Sequence, residues 1–512
     1  MFHQGRAAKI MRILKPAERL TDALTDPARR ERAMAGALFF YCAIWSLYGA
    51  LAKGSQDIHF DMGEMVIWSR EAGIGTPKHP PLAAWLVRVW FSVFPLADWA
   101  YYLFAMVLAT FALWVAWRVS ESHLDGEKRV AGVALLSFIP FFNFHALKFN
   151  ANTVLVPLWA LTTWCFLRSY ETRKPGWAAL AGLAAAAAML GKYWSVFLLA
   201  GLGLAVIADP RRGAYFRSSA PWITIAVGAL ALGPHLVWVA ANDFAPFSYA
   251  AAVHQATREG AVVSAIGFLA GVAGYIAAPV LLAALVARPA LRAIGDTLWP
   301  PTPERRFMLV AFFGPLVLPA LAAAVFKVQI VSLWAMGAMM LLPVVLLSSP
   351  LVTVSRGAAV RLLALAIAFP VAMTLAAPGI AIWLHRNGVP NHGAHYRLLA
   401  DEIEKAWRSA TGGPLLYLGS TTNLVNGVSF YLPDRPKTLD IAGPRNTPWA
   451  GAENIARAGI ALVCAEPDPI CMHFLDERAR SAPRSTVTLS RRYLGATDAP
   501  VRYAITVIPP AN

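Results

Sequence analysis

Apolar runs of membrane-spanning length recur from residue 34 to residue 384, and they leave this chain few folds to choose from. Roughly 18 to 20 apolar residues cross a hydrocarbon core as a helix, the form in which a single segment satisfies its own backbone hydrogen bonds. About eleven spans are expected, near 34–53, 99–120, 129–147, 150–168, 176–190, 192–208, 219–240, 262–287, 307–326, 328–348 and 361–384. Composition decides between a buried core and a bilayer. The 57% hydrophobic and 14% charged content lies far from the averages of soluble domains.

The net charge of +16 follows the loops and does not mark a nucleic-acid partner. Segment 1–33 carries Arg6, Lys9, Arg12, Lys15, Arg19, Arg29, Arg30 and Arg32. One alternating set of loops adds Lys128/Arg129, Arg168/Arg173/Lys174, Arg211/Arg212/Arg217, Arg288/Arg292/Arg305/Arg306 and Arg356/Arg361. The other set is poorer in arginine: the 54–98 stretch, turns near Asn150, Lys192 and Lys327, and the 241–261 loop. Basic loops face the cytoplasm, so the N-terminus is expected there. The odd span count then puts the 54–98 loop and everything after about residue 385 outside. Segment 1–33 has no short apolar stretch with a cleavage site, so no cleavable signal is expected. The chain reads as a multi-pass protein of the bacterial inner membrane.

One polar island interrupts the apolar sequence early: Asp57-Ile-His59-Phe-Asp61-Met-Gly-Glu64, then Lys78-His79-Pro80-Pro81-Leu82. Charged groups beside a bilayer are costly to keep and mark functional sites. Around the island, Met62, Met65, Val66 and Ser69 keep helical spacing, as do Leu82, Trp85, Leu86, Val89, Trp90 and Val93. Two helices at the membrane interface are predicted, the second flanked by tryptophans suited to headgroup depth.

Residues 391–512 change character. Apolar runs shorten to strand length at Leu415–Leu418, Thr438–Ile441, Ile460–Cys464 and Tyr503–Ile508, with helical stretches at Tyr396–Ala410 and Ala450–Ala458. Such alternation predicts a small α/β domain. It holds no GxGxxG or P-loop, so no nucleotide site is expected. Cys464 and Cys471 flank a Pro-rich turn in this outer domain and read equally as a disulfide or as two free thiols. A zinc site there has only His473 nearby. The resulting division is 1–33 cytoplasmic segment, 34–390 membrane domain with the 54–98 outer loop, and 391–512 outer α/β domain.

An Asp and a Glu three residues on in an early outer loop, followed by His79-Pro-Pro-Leu82 and Trp85-Leu86, resembles the bacterial glycosyltransferase 39 and aminoarabinose-transferase group. That group shares the GT-C fold of the protein O-mannosyltransferases. The order of elements fits across roughly 34–350. The resemblance implies a polyprenyl-phosphate sugar as donor and an envelope lipid or glycan, such as lipid A, as acceptor. Asp61 matches the family's first-loop aspartate, the general base, and Glu64 the acidic residue one turn later. His79 falls where aminoarabinose transferases carry a lysine proposed to contact the donor phosphate. Lys192, in Leu190-Gly-Lys-Tyr-Trp194, resembles the lysine of the turn between spans five and six. Asn152 departs from the pattern, because many relatives carry an aspartate there.

The chemistry has its own requirements. An acceptor hydroxyl must lose a proton, for which Asp61 serves. A leaving phosphate needs cations or donors, for which Lys192, His79, Lys78 and Arg258 serve. His59, Asn152, Tyr193 and His254 are the expected substrate contacts. A single displacement inverts the anomeric carbon, and no cofactor is required. Side-chain cations can neutralise the phosphate, although Asp61 and Glu64 leave a weakly held Mg²⁺ or Mn²⁺ open. Two other classes remain: a transporter or flippase of lipid-linked sugars, and a non-catalytic membrane scaffold. Transporters carry internal repeats and midplane sites. No repeat is evident here, and the carboxylates gather at one membrane face, which favours the enzyme.

Overall fold

The structure is a computed structural model and describes residues 2–71, 73–388 and 395–511, with side chains from residue 14 onward. The expected domain boundary at 390/391 and the side chains of Arg6, Lys9 and Arg12 lie outside the described residues. Among the described residues, six helices are long and apolar enough to cross a membrane: Arg30–Ala52, Asp98–Ser120, Ala220–Ala241, Arg258–Ala287, Pro303–Phe326 and Arg356–Asn387. Leu155–Thr172, Pro175–Gly191 and Val196–Ala208 form helices at three further expected spans. The chain is a multi-pass helical membrane protein.

Two expected spans are not continuous α-helices. At 129–147 the helix Gly126–Leu136 stops short of a 3₁₀ turn, Pro140–Phe142. Pro140 lacks an N–H and disfavours helical backbone at Ile139, which is extended. At 328–348 a 3₁₀ stretch, Ser332–Leu341, precedes a short α-helix, Leu342–Leu347. Pro343 cannot donate to the preceding turn, so it fits at the start of the α-segment and not inside a longer one.

The chain divides into two compact units. The first comprises Met1–Ser46, Leu103–Leu147 and Ala151–Met373; the second comprises Leu47–Tyr102, Lys148–Asn150 and Thr374–Asn512. This division cuts across the order 1–33, 34–390, 391–512, because the outer loop groups with the C-terminal segment. Within the first unit, small residues let helices touch. A Cβ on Gly314 would lie 2.7 Å from Gly201 Cα, so Pro303–Phe326 and Val196–Ala208 meet backbone to backbone.

The second unit is built on a five-stranded sheet, with β1 Tyr417–Ser420, β2 Lys437–Asp440, β3 Ile460–Ala465, β4 Arg484–Leu489 and β7 Val501–Ile508 in the order β2-β1-β3-β7-β4. Strands β1 and β2, and β1 and β3, are parallel, while β7 runs antiparallel to β3 and β4. A two-stranded ribbon, β5 Arg492–Tyr493 and β6 Ala496–Thr497, lies before β7. The central strands are buried on both faces, so they read as unbroken apolar runs. Strand β4, Arg-Ser-Thr-Val-Thr-Leu, was not legible because an exposed edge strand needs no apolar run. Helix Tyr396–Ala410 covers the sheet with Tyr396, Leu399, Ala400, Ile403 and Trp407, the spacing of one helical face. The structure joins Cys464 to Cys471 as a disulfide with Cα atoms 5.4 Å apart.

The outer loop forms the two predicted helices, Phe60–Glu71 and Leu82–Phe91. The first is buried from Met62 to Ser69 and lies against helix Thr422–Tyr431. A Cβ on Gly63 would stand 2.1 Å from the Asn426 carbonyl oxygen, so a residue with no side chain is required at this contact. Burial takes Glu64 with the helix, and Lys78 compensates it. The Lys78 ammonium donates to both Glu64 oxygens at 3.0 Å. Burial still pushes the Glu64 carboxyl above its ordinary value, against the pull of Lys78.

A carboxyl raised in the folded state binds more protons there than in the unfolded chain, so its contribution weakens as pH rises through the raised value. Lys78→Met removes the opposing charge and raises Glu64 further. The variant is expected to lose about 3 kcal/mol or more of stability, the scale for stripping one partner from a buried pair. In detergent melting curves the drop in Tm should be larger at pH 8 than at pH 5. A drop independent of pH would contradict this account of Glu64.

Candidate active site

Asp61 stands in the first turn of helix Phe60–Glu71, where the helix dipole favours an anion. Its Oδ2 receives the Lys148 ammonium at 3.0 Å and the Asn150 side-chain amide at 3.1 Å. Its Oδ1 accepts no hydrogen bond among the described residues, with His59 Nδ1 at 3.8 Å. Burial works to raise the Asp61 carboxyl, but Lys148, His59 and the two hydrogen bonds together bring it below its ordinary value. Asp61 is therefore a carboxylate at neutral pH with one oxygen fixed and the other open.

His59 is buried and neutral. The Asp61 backbone N–H donates to its Nδ1 at 3.1 Å, which puts any ring proton on Nε2. Burial pushes the imidazole down to about 4, against the pull of Asp61 and with Lys148 and Lys53 adding to the shift. The short separation of His59 and Asp61 is thus a contact of a neutral ring with an anion and not an ion pair. His79 is fixed through its backbone: its N–H donates to Thr76 Oγ1 at 2.9 Å, and its carbonyl accepts from that hydroxyl at 2.8 Å. Its ring stands edge-on to Trp68 with centroids 5.7 Å apart. Lys78, expected beside a donor phosphate, has its ammonium committed to Glu64.

The first unit holds a separate cluster. Lys192 ends helix Pro175–Gly191 in extended backbone and donates to Asn152 Oδ1 at 2.5 Å. Its ammonium lies 4.5 Å from the ring centre of Trp334, a cation–π distance. His254 meets the same Trp334 edge-on at 5.1 Å. Tyr193 exchanges a 2.8 Å hydrogen bond with the buried His235. Arg258 does not share a helix with His254, because the chain turns through Gln255–Thr257 and a new helix starts at Arg258. Thr257 caps that helix by accepting from the Gly260 N–H at 3.1 Å.

Sequence reasoning missed Lys148, Asn150 as a ligand of Asp61, and Trp334. The available signal for the first two was a lysine two residues before an asparagine turn, Lys148-Phe-Asn150. Trp334 offered none, since it sits in an apolar run. Among the described residues no group of three or more His, Cys, Asp or Glu is arranged to hold a metal ion. Lys78 meets both Glu64 oxygens, and Lys148 and Asn150 meet Asp61 Oδ2, so side-chain cations already stand beside both carboxylates.

Residues 78–238 match the family model described as dolichyl-phosphate-mannose-protein mannosyltransferase. No curated protein matches the chain by sequence. Two solved structures of ArnT from Cupriavidus metallidurans, one bound to undecaprenyl phosphate and one in the apo state, superpose with TM-scores of 0.63 and 0.62. Each is 12% identical and covers 92% of this chain and 98% of the other. The oligosaccharyltransferase AglB from Archaeoglobus fulgidus, in complex with an inhibitory peptide and a dolichol-phosphate, gives a TM-score of 0.39 at 11% identity, covering 83% of this chain and 69% of that one. The chain has the GT-C fold of the aminoarabinose-transferase type, a polytopic helical membrane protein with a C-terminal α/β domain.

Proposed function

We propose that the protein is an inverting glycosyltransferase of the bacterial inner membrane. It moves a sugar from a polyprenyl-phosphate donor to an envelope lipid or glycan at the periplasmic face. The observation that carries the reading is Asp61: a carboxylate held through Oδ2 by Lys148 and Asn150, with Oδ1 open. Such a group accepts a proton in a fixed direction. The GT-C fold and the mannosyltransferase family match supply the chemical class. The Cys464–Cys471 disulfide supports an oxidising compartment for the C-terminal domain.

In the reaction the acceptor hydroxyl gives its proton to Asp61 Oδ1 as its oxygen forms the new bond to the anomeric carbon. The bond from that carbon to the phosphate oxygen breaks, and polyprenyl phosphate leaves with the electron pair. Lys192 is assigned to the leaving phosphate, with Arg258 and His79 in supporting roles; His79 contributes a hydrogen bond and not a full charge. Asn152 and Trp334 position Lys192, and Lys78 positions the Asp61 helix through Glu64. His59, Tyr193 and His254 are assigned to the substrates. Cations serve the phosphate, and no metal is required.

Three experiments test the reading. Asp61→Asn keeps size and removes the proton acceptor, and turnover should fall by about two or more orders of magnitude. A flippase or scaffold would tolerate the change, so near-normal function in folded protein rejects the transferase base. Lys192→Ala should raise the donor requirement more than the acceptor requirement, with Lys192→Arg partly active. Titrating donor lipid and then acceptor separates the two, and an effect confined to acceptor reassigns Lys192. Treatment with EDTA should leave transfer intact; complete loss restored by magnesium or manganese would overturn the metal-free reading.

A further inference from the structure

Beside the Asp61 cluster, the second unit contains a cavity of about 550 Å³, within the usual range of small-molecule sites. Its walls carry five charged side chains: Lys53, Asp57, Asp98, Arg397 and Arg491. Four of them are accounted for. Asp57, 3% exposed, receives Arg491 at 2.5 Å and the Arg397 backbone N–H at 3.2 Å. Asp98 receives the Arg397 guanidinium at 2.9 Å and the Tyr431 hydroxyl at 3.2 Å. The two aspartates thus offset the two arginines.

Lys53 is the exception. It has no carboxylate partner among the described residues, and Lys148, the charge that acts on it, has its own sign. Burial pushes its ammonium below the ordinary lysine value, and Lys148 adds to the shift. An uncompensated, half-buried cation is costly and is relieved by an anion. The remaining walls include Trp99, Tyr102, Phe430 and Tyr431, and the Arg397 guanidinium lies 4.7 Å from the Tyr431 ring centre. Aromatic faces beside fixed carboxylate and guanidinium groups suit a hydroxylated ring, which presents apolar C–H faces and a rim of hydroxyls.

We propose that this cavity binds an anionic sugar, its acid group at Lys53 and its hydroxyl rim against the Asp57–Arg491 and Asp98–Arg397 pairs. The binding stands on the cavity alone. Its use as the place where an acidic acceptor is held rests on the transferase reading. Within this unit His59 lies within the electrostatic reach of both Lys53 and Asp61, so the cavity and the proposed base belong to one neighbourhood.

The test is saturation-transfer NMR on the full-length protein in detergent, with glucuronate, glucose 6-phosphate, glucose and inorganic phosphate as separate probes. Glucuronate or glucose 6-phosphate should bind wild type, and the stronger of the two identifies a carboxylate or a phosphate as the preferred acid group. Lys53→Met should weaken that binding by roughly tenfold or more, the scale of a charge-assisted hydrogen bond, while Lys53→Arg retains it. Glucose binding as well as the acidic sugars would overturn the proposal, and so would unchanged binding in Lys53→Met. Inorganic phosphate displacing the sugars at equal affinity would overturn the sugar assignment. Acidic-sugar binding that persists in Asp61→Asn, together with loss of transfer in that variant, supports both readings; such binding without any Asp61-dependent transfer keeps the site and removes the transferase.

Discussion

Asp61 remains an anion in a largely enclosed setting because Lys148 stands 3.0 Å from one of its oxygens. Burial works to raise the carboxyl toward its protonated form, and a protonated acid cannot take a proton from a hydroxyl. The ion pair does more than fix charge. It occupies Oδ2 together with Asn150 and leaves Oδ1 open for the proton in the proposed reaction. In the proposed reaction the charge of the base and the direction in which it accepts a proton therefore depend on the same contact.

The neighbouring groups divide the labour by environment. His59, expected as a substrate contact, is pushed down to about 4 and stays neutral, so it does not neutralise Asp61. Glu64, three residues along the same helix, is enclosed and matched by Lys78. Two carboxylates that look alike in sequence thus have different tasks. One is open on one oxygen, and the other anchors the helix that carries it. The close approach at Gly63 fixes that helix against Thr422–Tyr431, so the C-terminal domain supports the helix that carries Asp61.

The parts legible in the sequence were those with contrast. Asp61, Glu64, Lys78 and His79 stood out because charge is rare beside apolar spans. Helix Tyr396–Ala410 was legible to the residue because its apolar face repeats at helical spacing. The illegible parts lacked contrast or depended on folding. Lys148 and Lys53 each end an apolar run, where a lysine reads as an interface anchor. Trp334 is one aromatic among many, and its place over Lys192 arises from a 3₁₀ stretch that hydropathy reads as a plain span. The Cys464–Cys471 choice was open in sequence, since a seven-residue separation permits a bond without requiring it.

The dependence of the proposed base on Lys148 is tested most directly by the pH profile of the proposed transfer, followed as polyprenyl phosphate release, in wild type and Lys148→Met. Lys148 lowers the Asp61 carboxyl, and the reaction needs the deprotonated form. Removing the lysine should raise that carboxyl and move the acid limb of the profile to higher pH, with activity recovering as pH rises. An acid limb that stays where it is in wild type would contradict the account.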